Sequence, residues 1–216
     1  MEDSTKIFSK EDINQALWER HSLETQEKLS KGRVAIAGLG GLGSNIAVML
    51  ARSGVGHLLL VDFDTVDTTN LNRQAYGISH LGMPKTQAIR QILADINPYL
   101  DIQTKQVRVT ERNAAELFSG WPILCEAFDK PDQKSMLIST VLARCPATTM
   151  VSGNGMAGYG EANGICTERR LGRLYVCGDQ STDVGNSIGL MAPRVSVCAG
   201  HQANKVIQLI LQQAGI

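Results

Sequence analysis

Residues 33–54 read RVAIAGLGGLGSNIAVMLARSG: a short apolar, partly β-branched run, then six residues holding four glycines, then a segment with helical spacing that stops at Gly54. That order predicts strand, turn and helix. Gly38, Gly40 and Gly43 satisfy GxGxxG, with Gly41 between them. Glycine permits the tight turn, lets backbone N–H groups approach a phosphate and lets the helix pack on the strand, while the helix N-terminus supplies positive potential. Asp62 closes the next strand, HLLLVDFD (57–64), nineteen residues past Gly43. A nucleotide-binding βαβ unit places there the carboxylate that accepts hydrogen bonds from ribose hydroxyls. These features specify a nucleotide without naming it, and taken alone they suggest NAD and hydride transfer.

Working outward, PKTQAIRQILADIN (84–97) predicts a helix with Pro84 at its start, and DIQTKQVRVT (101–110) alternates as a third strand. A helix near 111–118, a strand at 121–128, a helix at 131–144 and a strand at 148–153 follow, then glycine-rich short strands, then a closing helix over 196–215. Strands alternating with helices imply right-handed βαβ units, so the expectation is an α/β, Rossmann-like, doubly wound and mostly parallel sheet with helices on both faces. Residues 1–30 are polar with scattered apolar positions and predict a helical arm, leaving 31–216 as one nucleotide-binding domain.

Composition excludes several classes. The 21 basic residues cancel the 21 acidic ones, so no bulk field attracts nucleic acid. No basic flank and apolar core open the chain, and no stretch reaches eighteen apolar residues, which predicts a cytoplasmic protein with no membrane partner. The five cysteines form no CxxC pair, which argues against a disulfide framework and a four-cysteine zinc site.

The run DFDTVDTTNLNRQAYGISHLGMPK (62–85) is too long and polar for an ordinary strand-to-helix loop, and it offers Asp64, Asn70, Arg73, Gln74 and Lys85. Here the chain resembles the ThiF, MoeB and HesA family, the ubiquitin-activating-like enzymes of small sulfur carriers. The resemblance rests on GLGGLG, Ser53-Gly54-Val55-Gly56, Asp62-Phe63-Asp64-Thr65-Val66, Asn70-Leu71-Asn72-Arg73-Gln74 and Gly82-Met83-Pro84-Lys85, in that order. It continues through Ile96-Asn97-Pro98 and Glu126-Ala127-Phe128-Asp129. The segments GNGMAGYGEANGI and GLMAPRVSVCAGHQAN look like the short second ThiF group, generally assigned to thiamine biosynthesis.

The resemblance implies an ATP-dependent adenylyltransferase that activates the C-terminal glycine carboxylate of a ThiS-like carrier protein and works as a homodimer. It implies Gly38, Gly40, Gly41, Gly43, Asp62, Asp64, Asn70, Gln74 and Arg20 as nucleotide contacts, Arg20 reaching into the partner subunit's site. Arg73, Lys85 and Asp129 are the implied catalytic residues, and Asp129 matches the family's magnesium aspartate. The residues support this chemistry independently: a guanidinium clamps phosphate oxygens at two points, and a lysine delivers a point charge. Magnesium binds through one or two carboxylates plus substrate phosphates, so a single aspartate suffices. The chain departs from the pattern in three places. The zinc-binding CxxC pairs of many members are absent, the stretch 181–194 carries no cysteine to link to a carrier, and Asp129-Lys130 stands for the family's Asp-Asn. A tRNA threonylcarbamoyladenosine dehydratase and a non-catalytic nucleotide-binding scaffold are the alternatives.

Overall fold

The computed structural model describes residues 8–182, 185 and 189–213. Strands β1 (Arg33–Ala37), β2 (His57–Asp62), β3 (Asp101–Gln106), β4 (Ile123–Glu126), β5 (Thr149–Gly153), β6 (Cys166–Leu171) and β7 (Leu174–Gly178) form one sheet in the order β3-β2-β1-β4-β5-β7-β6. All neighbours run parallel except β6 against β7. The order reverses beside β1, so a crevice opens between β1 and β4 at the C-terminal strand ends, where such sheets receive ligands.

Helices α1 (Lys10–His21), α2 (Leu23–Ser30), α3 (Gly41–Arg52), α4 (Lys85–Ile96), α5 (Glu111–Phe118), α6 (Pro131–Arg144) and α7 (Ala192–Gln213) surround the sheet. The alternation of β1 divides the core: Val34 and Ile36 pack with α3, α4 and α7, whereas Ala35 and Ala37 pack with α5 and α6. Both faces of the central strands are therefore apolar, as a covered parallel sheet requires. The α2 helix belongs to this body, since Leu29 lies in the core and the buried Gln26 side chain donates to the Gly54 carbonyl at 3.1 Å.

The structure moves several boundaries. Helix α3 starts inside the glycine run at Gly41 rather than at Ser44, because a Gly40 cap needs no side chain to fit the turn. Strand β3 stops at Gln106 instead of 110: it is the sheet edge, and Val107–Val109 turn across the strand ends toward α5, whose N-cap N–H at Thr110 donates to Asn113 at 2.8 Å. Strands β2 and β4 are likewise shorter than 57–64 and 121–128, because their terminal acids turn the chain. Helix α7 begins at Ala192, not 196, with Pro193 in its first turn, where a missing N–H costs nothing.

Close approach of α3 to β1 depends on Gly43, where a Cβ would lie 1.8 Å from the Gly38 carbonyl oxygen. A Cβ on Gly40 would meet no atom nearer than 3.9 Å. Gly43→Ala should therefore cost about 3 kcal/mol or more, lowering Tm by about 6–12 °C, as overpacking against backbone does. Gly40→Ala should leave Tm within about 2 °C in the same thermal scans. Equal melting of Gly43→Ala and the parent would show that the helix can shift freely.

Candidate active site

The glycine turn forms the floor of the crevice. Gly38 takes a φ of +90°, which carries the chain from β1 into α3. The Asp62 carboxylate at the end of β2 accepts from the Leu39 N–H at 2.6 Å and from the Asp64 N–H at 2.8 Å. Tyr76 donates its hydroxyl to the Leu39 carbonyl at 2.8 Å, so both polar groups of Leu39 are held from outside the turn. Burial, helped by the negative Asp62, raises the Tyr76 hydroxyl above its usual range and keeps it a donor. Asp62 was expected to contact ribose; the structure gives it this turn-fixing role as well, while it still lines the crevice.

The long polar run after β2 folds back over the start of α3. Ser44 accepts from the Ala75 N–H at 3.0 Å, and Asn45 donates to the Arg73 carbonyl at 2.9 Å. Those bonds set Arg73 beside the turn, its aliphatic stem 3.4 Å from where a Gly41 Cβ would lie. Its Nη1 donates to the Thr69 carbonyl at 3.0 Å and to Asn72 at 2.7 Å. Lys85, 7% exposed at the start of α4, pairs with Asp64 at 3.4 Å, and its own N–H donates to the Asp64 carbonyl.

A cleft of about 720 Å³ gathers these groups. Its lining includes Gly38, Gly40, Gly41, Asp62, Asp64, Asn70, Arg73, Gln74, Lys85 and Asp129, so the expected contacts converge on one space. Gly43 lies beneath the turn as a packing residue and does not line it. Arg20 is exposed near the end of α1 and outside the lining.

Two features leave room for a nucleotide. A Cβ on Gly40 would meet only the Gln74 Nε2, at 3.9 Å, and the buried Gln74 Oε1 is an acceptor without a hydrogen-bond partner, which suits a hydroxyl or amino donor of a nucleoside. Among the described residues no group of three or more His, Cys, Asp or Glu side chains gathers around a metal position. Asp129 is exposed on the cleft wall, a geometry that suits a magnesium ion whose other ligands are phosphate oxygens and water. Burial pushes the thiol of Cys177 up to about 11 and that of Cys198 up to about 12, so neither is a thiolate near neutral pH.

The ThiF family pattern matches residues 13–216. The chain belongs to the ThiF family. It is 37% identical over 160 residues to the adenylyltransferase and sulfurtransferase UBA4 of Eremothecium gossypii, covering 74% of this chain and 35% of that protein. It is 32% identical over 194 residues to the molybdopterin-synthase adenylyltransferase of Salmonella typhimurium, covering 87% of this chain and 76% of the other. The chain thus spans little more than a third of the UBA4 protein and about three quarters of the bacterial one. The tRNA N6-threonylcarbamoyladenosine dehydratase TcdA of E. coli, solved with ATP, superimposes with a TM-score of 0.85 over 96% of this chain and 98% of the other, at 18% identity. That likeness shows the shared fold. No helix among the described residues is long and apolar enough to cross a membrane.

This ThiF crevice also contains residues that sequence reasoning missed. Arg108 lies 3.6 Å from the Phe63 ring centroid, and both line the cleft; the alternation of residues 101–110 marks a strand and carries no signal for a site at Arg108. Lys130 adds a cation beside Asp129, whereas Lys134 lines the cleft with its ammonium already paired with Glu126. Behind Gln180, Ser181 and Thr182, which line the far side, Asp179 accepts from the N–H groups of Ser181 at 2.9 Å and Thr182 at 2.8 Å, and pairs with Arg194. Its own N–H donates to the Gly155 carbonyl, which ties the segment after β7 to the glycine-rich segment after β5. The expected stretch 181–194 falls partly outside the described residues, at 183, 184 and 186–188.

Burial alone would raise the Asp179 carboxyl, but the backbone and hydroxyl donors of Thr182 and Ser181 outweigh it and hold the group at about 2. A carboxyl held low contributes stability above its ordinary value of 3.8, and that contribution disappears as pH falls toward about 2. Asp179→Asn should lower Tm near neutral pH by about 3–8 °C. The gap from the parent should begin to narrow as pH falls below 3.8 and close near about 2. A gap that stays constant in melts across that interval would show that Asp179 is not the titrating group.

Proposed function

We propose that this ThiF-family chain is an ATP-dependent adenylyltransferase for the C-terminal glycine carboxylate of a small ubiquitin-like sulfur carrier, a ThiS-like protein of thiazole formation. It acts as a homodimer with magnesium at Asp129. The observation that carries the reading is the convergence of Arg73, Lys85 and Asp129 on one cleft floored by the glycine turn. The relatives named adenylyltransferases support the reaction class. The thiamine assignment and the dimer, in which Arg20 would reach the partner's nucleotide, rest on the sequence resemblance. The dehydratase alternative gains nothing at 18% identity, and the chain is neutral overall.

In this reaction the carrier carboxylate oxygen bonds to the α-phosphorus of ATP while the bond from that phosphorus to the bridging oxygen breaks, and pyrophosphate leaves with the electron pair. Carboxylate and triphosphate are both anionic, so their approach costs Coulomb energy that grows as water leaves the cleft. Arg73 and Lys85 offset it, and their attraction strengthens as charge moves onto the phosphate oxygens. Pinning through Thr69, Asn72 and Asn45 holds Arg73 ready before the reaction, and burial of Lys85 limits its wandering. Magnesium, when bound, would neutralise the departing pyrophosphate; Asp129 would hold it.

Arg73→Ala and Lys85→Ala should each reduce single-turnover adenylate formation by about a hundredfold to a thousandfold, while ATP affinity by calorimetry falls much less. Arg73→Lys should fail to restore turnover, because a point charge cannot reproduce a two-point clamp. Losses wholly explained by ATP affinity, or full activity in Arg73→Lys, would overturn these roles. ATP should raise Tm by mass action and NAD should leave it unchanged; stabilisation by NAD alone would return the site to hydride transfer. Carrier-dependent exchange of labelled pyrophosphate into ATP, run with ThiS-like, MoaD-like and Urm1-like carriers, decides the partner. Exchange with every carrier but the ThiS-like one would refute the thiamine assignment.

A further inference from the structure

Glu126 ends β4 with its side chain wholly buried, and nothing in the proposed reaction uses it. Its carboxylate meets the Lys134 ammonium at 2.8 Å, and the Lys134 side chain is only 15% exposed. Burying such a pair is costly, and an apolar pair of similar volume would commonly be as stable. The bonds around the pair indicate what it does. Glu126 Oε1 accepts from the Phe128 N–H at 2.7 Å, and Lys134 Nζ donates to the Phe128 carbonyl at 2.9 Å. Ser152 on β5 donates to the other carboxylate oxygen, and Gln202 of α7 donates to the Glu126 carbonyl at 3.2 Å. The parallel ladder ends one residue earlier, where the Ala127 N–H donates to Ala37. Past that point the sheet offers Phe128 no partner, and the ion pair takes both of its backbone groups.

We propose that the Glu126–Lys134 pair is a positioning device for Asp129, a clamp that fixes the peptide on either side of Phe128 and so aims the next carboxylate into the cleft. The proposal rests on the reading of Asp129 as the magnesium residue. Lys134 reaches back from the first turn of α6, where its own N–H donates to the Lys130 carbonyl. Strand end, turn and helix start thereby move as one unit. Asp129 itself is exposed, and the clamp supplies the rigidity that its own surroundings lack.

The test is ATP affinity by calorimetry with magnesium and with EDTA, in the parent, Asp129→Ala, Lys134→Arg and the charge-free pair Glu126→Gln with Lys134→Met. The pair variant avoids stranding one buried charge, and circular dichroism with a thermal melt confirms that it folds. Glu126→Gln alone keeps volume and an acceptor for Phe128 and serves if the pair variant unfolds. Magnesium should strengthen ATP binding to the parent, and removing the clamp should reduce that gain by about tenfold or more, as loss of residues supporting a metal ligand does. Affinity in EDTA should stay within about threefold, Lys134→Arg should retain the magnesium gain, and adding Asp129→Ala to the pair variant should cost nothing further. An undiminished magnesium gain in the folded pair variant overturns the clamp alone, as do equal losses with and without magnesium, which mark a merely structural pair. A parent whose ATP affinity ignores magnesium removes the metal reading of Asp129, and the clamp's purpose with it.

Discussion

Everything at the crevice depends on how closely α3 can sit on β1. Gly43 faces the Gly38 carbonyl with room for a hydrogen and not for a carbon, and that contact lets the first turn of α3 begin directly off the strand. Its unsatisfied N–H groups and the positive end of its dipole then point into the crevice. A helix held one side-chain diameter farther out would also lose its apolar seat, because Ile46, Ala47 and Leu50 are buried against the same sheet face and α7. One missing Cβ thus serves the core and the site together.

Most of this was legible in the sequence, and for a physical reason. The β1 run, the glycines and the α3 spacing are local patterns whose meaning does not depend on distant chain, and they fixed the fold class. The polar run from Asp62 to Lys85 announced itself by length and by its cations. Partners 31 to 118 residues apart were not legible: Ser44 to Ala75, Glu126 to Gln202 and Asn72 to Leu190 are meetings that only the folded chain creates. Boundaries failed for a related reason, since Val107–Val109 keep an extended, alternating pattern after the ladder has ended, and alternation cannot register the absence of a neighbour.

A shared device shapes three walls of the cleft. Asp62 ends β2, Glu126 ends β4 and Asp179 follows β7, and each carboxylate accepts the N–H two residues onward, turning the chain out of the sheet. Each is also neutralised or engaged from elsewhere: Asp62 by the Leu39 N–H, Glu126 by Lys134 and Asp179 by Arg194. Acids used this way form part of the architecture, and in two of the three a paired cation offsets the charge. The cleft lining contains Arg73, Lys85, Arg108, Lys130 and Lys134 against Asp62, Asp64 and Asp129; with Lys85 paired to Asp64 and Lys134 to the buried Glu126, Arg73, Arg108 and Lys130 remain against Asp62 and Asp129. Of those acids Asp62 is spent on the turn and Asp64 is paired with Lys85, which leaves Asp129 as the carboxylate presented to a ligand. A chain with no net charge therefore has a local excess of cations at the one place where a helix N-terminus also points. Phosphate groups suit such a space, and a lone carboxylate inside it is useful where a metal ion arrives with the phosphates.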